Sequence, residues 1–357
     1  MKKAAALLAL LLLMPIGALA APENVYELKS NGETIARIVY EPSQGDEYLS
    51  GKNILYRVTG VDAASLTAEA ENLGEVKLPD ASFLRAADAI AVFSETPLIA
   101  IYCTHSDESY EPTDGTSSIE GHGGIYDVAH SFAEALESEG VSVIMSDETH
   151  LPHDSAAYRR SRETAAQLVK ESPDVLIDVH RDGIPDPAEY ENTVEGQEIS
   201  MVRLLVGRSN PNAQSNREFA YGVKAAADEL YPGLIKDIYI GKGTYNQDLM
   251  PRAILLEFGT HTIEKDLVLD STSMMANVMK SAVYGDVTGG VDNTEESEKS
   301  GGSGVVTGIL IVLGIAVLLL IVFSVLNARS GGGTFKRMKR TMTEMTGGIF
   351  TKGKDKK

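Results

Sequence analysis

The sequence predicts an α/β fold with a mostly parallel sheet and helices on both of its faces. From Pro97 onward, short apolar runs alternate with longer segments of helical periodicity, the spacing typical of βαβ units. The runs are almost continuously apolar, which indicates strands buried on both faces. Strands are predicted at 97–103, 141–145, 175–179, 202–206, 238–240 and 253–258, and helices near 124–139, 155–171, 215–231 and 264–284.

The segment before this pattern, residues 22–95, reads as a small β-rich module of its own. Two strand-like runs flank Asn31-Gly32, a dipeptide that readily adopts the positive φ angles of a type I′ hairpin turn. The segment has no cluster of chemically active side chains, so we expect a structural or partner-binding role. Its expected elements are strands at 25–29, 34–40 and 54–59, and a helix over 63–73 or 82–91.

The first twenty residues have the pattern of a secretory signal peptide. Lys2-Lys3 precede an apolar run, and Ala18-Leu19-Ala20 supplies the small residues of a cleavage site. The alternative is an uncleaved anchor. The pattern predicts that the segment is removed and that the following residues lie outside the cell.

A second apolar run, residues 305–326, contains no charged residue and has the length of a transmembrane helix, which needs about 20 residues. The basic tail at 327–357 then belongs in the cytoplasm by the positive-inside rule. Residues 286–304 are rich in Gly, Ser and acidic residues and read as a flexible tether. Together these features predict a single-pass cell-membrane protein whose domain at 96–285 lies outside.

Charge and cysteine content exclude several classes of protein. The formal net charge is −19, and the basic residues concentrate in the tail, which argues against a nucleic-acid partner. Cys103 is the single cysteine, so a disulfide-stapled scaffold is excluded. The fold must therefore depend on its hydrophobic core.

Metal-ligating side chains follow two of the predicted strands. His105 and Glu108 come after the first strand, and His180 comes after the third. Because the carboxyl ends of parallel strands meet at one edge of a sheet, these side chains can converge. A His-Glu-His set with an open fourth position is the composition of a catalytic zinc site. The alternative for each residue is a solvated or capping role at the surface.

A third strand of the same kind ends in Glu257, a candidate for the carboxylate that moves protons during hydrolysis. Its alternative is a strand-end salt bridge. Cys103 and His105 also raise a cysteine-nucleophile interpretation, but side chains two positions apart on an extended strand stand too far apart for a good hydrogen bond.

In these residues the chain resembles the sporulation stage II protein P (SpoIIP) family of exported peptidoglycan hydrolases, which are related to zinc-dependent N-acetylmuramoyl-L-alanine amidases. The resemblance covers about residues 96–285. It rests on several short motifs in one order: 104–110 (THSDESY), His153-Asp154 with Tyr158 and Ser161-Arg162, 178–182 (DVHRD), 206–212 (VGRSNPN), 245–248 (YNQD) and 251–257 (PRAILLE).

The resemblance implies an amidase-like fold, one zinc ion, and cleavage of the amide between the glycan's lactyl group and the stem peptide, with endopeptidase activity also described for the family. It implies three metal ligands and a catalytic Glu257. Glu120 is a less favoured alternative for the second ligand. A chain this acidic needs local cations to bind an acidic polymer. The implied ligands are His105, Glu108 and His180, and the implied substrate-binding or supporting residues are Arg181 and Asp182. As substrate-binding cations we expect Arg181, Arg208 and Arg252.

The sequence therefore predicts a membrane-anchored, extracytoplasmic zinc amidase that acts on peptidoglycan in sporulation or envelope remodelling, with envelope proteins as possible partners. The alternatives are a non-catalytic peptidoglycan-binding or scaffold protein on the same fold and a cysteine hydrolase. One departure from the family lies directly before the motif at 104–110, where Cys103 stands at a position that is usually histidine.

Overall fold

The computed structural model describes residues 24–79 and 97–285. Within them, thirteen strands form one large sheet and one hairpin, accompanied by five helices and two 3₁₀ turns. The strands are β1 (Tyr26–Ser30), β2 (Glu33–Ile38), β3 (Glu47–Ser50), β4 (Ile54–Asp62), β5 (Thr67–Glu75), β6 (Leu98–Tyr102), β7 (Ser142–Met145), β8 (Val175–Asp182), β9 (Glu191–Val194), β10 (Gln197–Ser200), β11 (Val202–Gly207), β12 (Ile235–Gly241) and β13 (Ala253–Thr260). The helices are α1 (Glu111–Asp114), α2 (Ile125–Ser138), α3 (Ala157–Lys170), α4 (Ala213–Leu230) and α5 (Lys265–Tyr284), and the 3₁₀ turns are Pro187–Glu189 and Gln247–Leu249.

The large sheet is mixed rather than mostly parallel. Its strand order is β2-β1-β5-β4-β3-β12-β11-β13-β8-β6-β7. The run β7-β6-β8-β13 is parallel, as the alternating pattern predicts, but β11 pairs with β13 in the antiparallel direction. The predicted fold class is wrong in this respect, because the spacing of strands along the sequence indicates the elements but not the direction in which each strand runs in the sheet.

Alternate side chains of the central strands enter cores on opposite faces of the sheet. On β6, Ile99 and Ile101 join the larger core with α2, α4 and α5, whereas Ala100 and Tyr102 join a smaller core with Ala165 of α3. Such burial on both sides explains the continuous apolar runs. All six strands and four helices predicted after Pro97 are present, and helices cover both faces as predicted.

The N-terminal strands do not form a module separate from this sheet. β3 pairs with β12 in the antiparallel direction and so continues the sheet into β4, β5, β1 and β2. Leu28 and Ile38 share a core with Leu205 and Leu255, on the same side of the sheet as α3. The prediction of a preceding β-rich module is therefore corrected to five further strands of one sheet.

Local predictions in the N-terminal strands have mixed outcomes. The Asn31-Gly32 turn is present, with φ angles of 53° and 83°. The helix considered over 63–73 is wrong, since β5 occupies most of that segment. The alternative helix at 82–91 lies outside the described residues.

Across 24–79 and 97–285, no helix combines the length and the apolar character needed to cross a membrane. The described residues therefore give no support to the membrane helix of the predicted fold class or to the single-pass cell-membrane localisation, and both predictions are corrected to an α/β fold with a mixed sheet. The segments predicted as signal peptide (1–20), tether (286–304), transmembrane helix (305–326) and tail (327–357) lie outside the described residues.

Candidate metal centre

Three adjacent strands, β6, β8 and β13, carry the candidate site at their carboxyl ends. On β8, the two-residue period of a strand places Asp178, His180 and Asp182 on the same face as Leu176, which packs in the core beside α3. His180 is directly opposite Glu257 of β13 in the strand register. The loop after β6 brings His105 and Glu108 to the same edge.

His105, Glu108 and His180 form a compact group whose candidate ligand atoms all lie within 4.8 Å of one another. The carboxylate of Glu108 lies between the two imidazoles, with Oε1 3.2 Å from Nδ1 of His105 and Oε2 3.5 Å from Nδ1 of His180. The backbone amide of Arg181 donates a hydrogen bond to Oε2 over 3.0 Å. The donors converge on one small volume, as a metal site requires.

The pKa values in this group are determined by burial and by the charges of neighbouring side chains. Burial disfavours charge on His180, but the carboxylates of Asp178 and Glu108 raise its pKa well above the usual value. Glu108 is also buried, yet His180 and the hydrogen bond with His105 hold the pKa of Glu108 well below its usual value. Burial lowers the pKa of His105. A neutral His105 and an ionised Glu108 are the protonation states that bind a metal.

Asp178 supports His180 from the side away from Glu108. Its carboxylate accepts hydrogen bonds from the amide and the hydroxyl of Thr104, over 2.8 and 2.6 Å. Oδ1 of Asp178 lies 2.9 Å from Nε2 of His180, although the pair lacks the alignment of a hydrogen bond. A carboxylate behind a ligating imidazole fixes its orientation and raises its basicity.

Nε2 of His105 is buried and has no hydrogen-bond partner among the described residues, whereas Nε2 of His180 faces the Asp178 carboxylate at 2.9 Å. Buried polar atoms without partners are rare and indicate a ligand, an ion or strain. With two imidazoles and one carboxylate as donors, the residues fit a zinc ion.

Glu257 lies beside this group on β13 and is 7% exposed. Burial and the charge of Asp182 raise the pKa of its carboxyl group to about 8. Its Oε2 atom is buried and has no hydrogen-bond partner. A carboxyl group with a pKa near neutrality can both accept and return a proton.

A buried cluster lies behind Glu257, centred on Arg203 of β11. Arg203 is directly opposite Glu257 in the register of β11 and β13. Its guanidinium donates hydrogen bonds to both oxygens of Asp237, over 2.6 and 2.9 Å, and to Asp182 over 2.7 Å. The hydroxyl of Tyr190 also donates to Asp182, over 2.6 Å. Arg203 and Tyr190 therefore hold Asp182 in the position from which its charge raises the pKa of Glu257.

The predicted cations Arg181 and Arg252 and the alternative ligand Glu120 are not among the three converging residues. Arg181 is buried, and its guanidinium donates to the backbone carbonyls of Ser109 and Ser117, so it fastens the loop that carries Glu108. Arg252 precedes β13, at the opposite end of that strand from Glu257. Glu120 is exposed and is not among the three converging residues.

Two functional candidates of the structure were not singled out by the pattern of the sequence. His153 packs against His105 with ring centroids 4.0 Å apart and ring planes tilted by 31°, and Nδ1 of His153 donates to Oδ1 of Asp107 over 3.0 Å. That hydrogen bond raises the pKa of His153. Tyr158, in the first turn of α3, lies edge-on to His105 and parallel to His180. The only local signal for either residue is its place in a matched motif.

Solved structures similar to this chain include three amidases. N-acetylmuramoyl-L-alanine amidase from Clostridium difficile 630 shares 15% identity over 53% of this chain and 96% of its own, with a TM-score of 0.35. The amidase AmiC2 of Nostoc punctiforme shares 14% identity over 54% and 97%, with a TM-score of 0.33. CwlD from Clostridioides difficile, solved with the GerS lipoprotein, shares 12% identity over 53% and 96%, with a TM-score of 0.36.

A curated relative, Stage II sporulation protein P of Bacillus subtilis (strain 168), is 29% identical over 181 residues. The aligned part covers 45% of this chain and 45% of the relative, so the chain spans just under half the length of that protein. The family model for Stage II sporulation protein P (SpoIIP) matches residues 46–280, which is more than half of the 357 residues. On that match, the chain belongs to the SpoIIP family.

Proposed function

We propose that this protein is a zinc-dependent peptidoglycan hydrolase that cleaves the amide between N-acetylmuramic acid and L-alanine, acting in sporulation or envelope remodelling. Membership of the SpoIIP family supports the substrate class. The observation that carries the proposal is the convergence of His105, Glu108 and His180 within 4.8 Å, next to the buried carboxyl group of Glu257. Endopeptidase cleavage within the stem peptide is part of the same proposal.

The three converging residues would hold the metal ion. Zinc suits them because it takes imidazole nitrogen and carboxylate oxygen ligands, and a three-ligand protein site leaves a position for substrate. When bound, zinc supplies Lewis acidity, which polarises a carbonyl group and eases the deprotonation of water.

The chain's own residues supply proton transfer and orientation. Glu257, with a carboxyl pKa of about 8, accepts a proton from the attacking water and returns it to the leaving amine nitrogen. Asp178 holds His180 in place, and Arg181 fixes the loop of Glu108 through the backbone carbonyls of Ser109 and Ser117. Burial raises the pKa of Tyr158 well above its usual value, so its phenol remains a hydrogen-bond donor beside the site.

The test compares three variants of the full chain on purified peptidoglycan, with metal content measured for each. His105→Ala removes one donor, and we expect loss of both stoichiometric zinc and stem-peptide release. Glu257→Gln retains the donors, so we expect zinc to stay and release to fall by about 10²–10⁴-fold, the usual contribution of a general acid-base group. His130→Ala is the matched control, because His130 is exposed on α2 and pairs with an exposed Asp147.

Mass spectrometry of the products identifies the bond that is cut. Free stem peptides that begin with L-alanine indicate the amidase reaction, and shortened peptides indicate the endopeptidase reaction. Undiminished release by His105→Ala, or by protein stripped of metal, contradicts the proposal. Tight binding of peptidoglycan without any turnover by the zinc-loaded wild type would instead favour the non-catalytic binding protein.

A further inference from the structure

A cavity of about 390 Å³ adjoins the candidate metal centre. His153 contributes to its lining and also packs against His105, so the cavity lies next to the three converging residues. No role is assigned to this cavity by the chemistry described so far. Its lining residues are Asp107, Ser118, Glu120, Leu151, Pro152 and His153.

The two walls of the cavity are fastened to the strand ends that carry the site. In the first wall, the amide of Ile119 donates to the carbonyl of Asp107 over 2.8 Å, and the Ser118 hydroxyl donates to the Asp107 carboxylate over 2.6 Å. In the second wall, Nδ1 of His150 donates to the carbonyl of Cys103 over 2.9 Å, and Arg160 donates to the His150 carbonyl over 2.7 Å. These contacts make the cavity a preformed one.

The chemistry of the lining combines apolar surface with one free negative charge. Leu151 and Pro152 offer aliphatic surface. The Asp107 carboxylate is already occupied by Ser118 and His153. Glu120 is exposed, and within the part of the chain that the structure describes it forms no hydrogen bond or ion pair. An aliphatic chain that ends in an ammonium group matches both features.

We propose that this cavity binds the amine-bearing side chain of a diamino acid in the stem peptide, with Glu120 pairing with the ammonium group. The inference rests on the proposed function, because it assigns the cavity to the peptide side of the same substrate. It adds a selectivity: the enzyme prefers stem peptides that carry a primary amine at that residue. His153, held by Asp107, forms the boundary between the cavity and the metal group and orients the peptide between them.

The test uses two synthetic muramoyl tripeptides that differ in one group, with lysine or norleucine as the third residue. Binding of both is measured by calorimetry on the zinc-loaded full chain carrying Glu257→Gln, so that turnover does not interfere. We expect the lysine peptide to bind about 2–5-fold more tightly, the range for an ion pair with an exposed carboxylate. Adding Glu120→Gln should remove this difference. Adding Glu198→Gln, an exposed glutamate on the separate β9–β10 hairpin, should preserve it.

The outcomes separate this inference from the proposed function. Equal binding of the two peptides, or no binding of either, overturns the inference, whereas turnover by the wild type is measured independently and tests the function. A preference that survives Glu120→Gln also overturns the assignment of the cavity. Loss of zinc from Glu120→Gln overturns it in another way, because Glu120 would then be a metal ligand rather than a substrate contact.

Discussion

Replacing Arg203 with methionine removes the cation of the buried cluster behind Glu257. The Arg203 side chain is fully buried, and it donates two hydrogen bonds to Asp237 and one to Asp182. Methionine fills much of the same volume but cannot donate. Asp182 then keeps the Tyr190 hydroxyl and the Gly183 amide, while Asp237 keeps only Lys236 at 3.7 Å.

The expected cost follows from leaving carboxylates buried without a partner. Breaking a buried ion pair on one side costs about 3–5 kcal/mol. For a domain of this size, each kcal/mol lowers the melting temperature by about 2–4 °C, so Arg203→Met should lower it by about 6–20 °C. The control Arg57→Met removes a half-exposed cation, and its expected cost is below about 1 kcal/mol.

Thermal and urea unfolding of the full chain measure both costs. A second variant, Arg203→Met combined with Asp237→Asn, removes one of the two stranded charges and should recover part of the lost stability. A loss below about 1 kcal/mol for Arg203→Met would refute the argument. A double variant that is no more stable than the single one would show that the stranded carboxylate is not the cause.

Three further predictions concern the metal group. Zinc binding near neutral pH should displace a proton from His180, because neighbouring carboxylates raise the pKa of this imidazole. Calorimetry of zinc binding in buffers of different ionisation enthalpy should report the proton release. Binding heats that do not depend on the buffer would contradict it. In metal-free protein, the stabilisation that Glu257 contributes is complete below its unfolded pKa of 4.5 and is lost as the pH rises through about 8. The free energy of unfolding should therefore fall more steeply over that interval in wild type than in Glu257→Gln. Equal slopes would refute the raised pKa of Glu257. Gly123→Ala should reduce zinc affinity, because its Cβ would collide with the backbone of Glu108, whereas Gly60→Ala meets nothing within 4 Å and should keep wild-type affinity.

The strand ends of the site were predictable because each is a local pattern. A buried strand reads as an apolar run, and polar side chains at its carboxyl end are conspicuous. His105, His180 and Glu257 each follow such a run, on strands that are neighbours in the sheet. Parallel pairing of β6 with β8 and of β8 with β13 was enough to bring the three together.

Contacts between distant segments were not predictable in the same way. The antiparallel return of β11 beside β13 depends on a long connection through the β9–β10 hairpin, which gives no strong local pattern. β3 (EYLS) was missed because it is only four residues long, and β5 (TAEAENLGE) was missed because it contains few apolar residues. The contact between His153 and His105 depends on a loop held by side-chain contacts, and no periodic pattern in the sequence predicts it.

The antiparallel return also determines the electrostatics of Glu257. It places His180, Glu257, Arg203 and Asp237 in one row across four adjacent strands, where directly opposite side chains lie about 5 Å apart. Arg203 could neutralise Glu257 from this position, but its donors are directed to Asp237 and Asp182 instead. Burial and the charge of Asp182 therefore outweigh the nearby Arg203 and His180, and the pKa of Glu257 rises. Such an arrangement costs stability, and that cost is explained if the carboxyl group must exchange a proton near neutral pH.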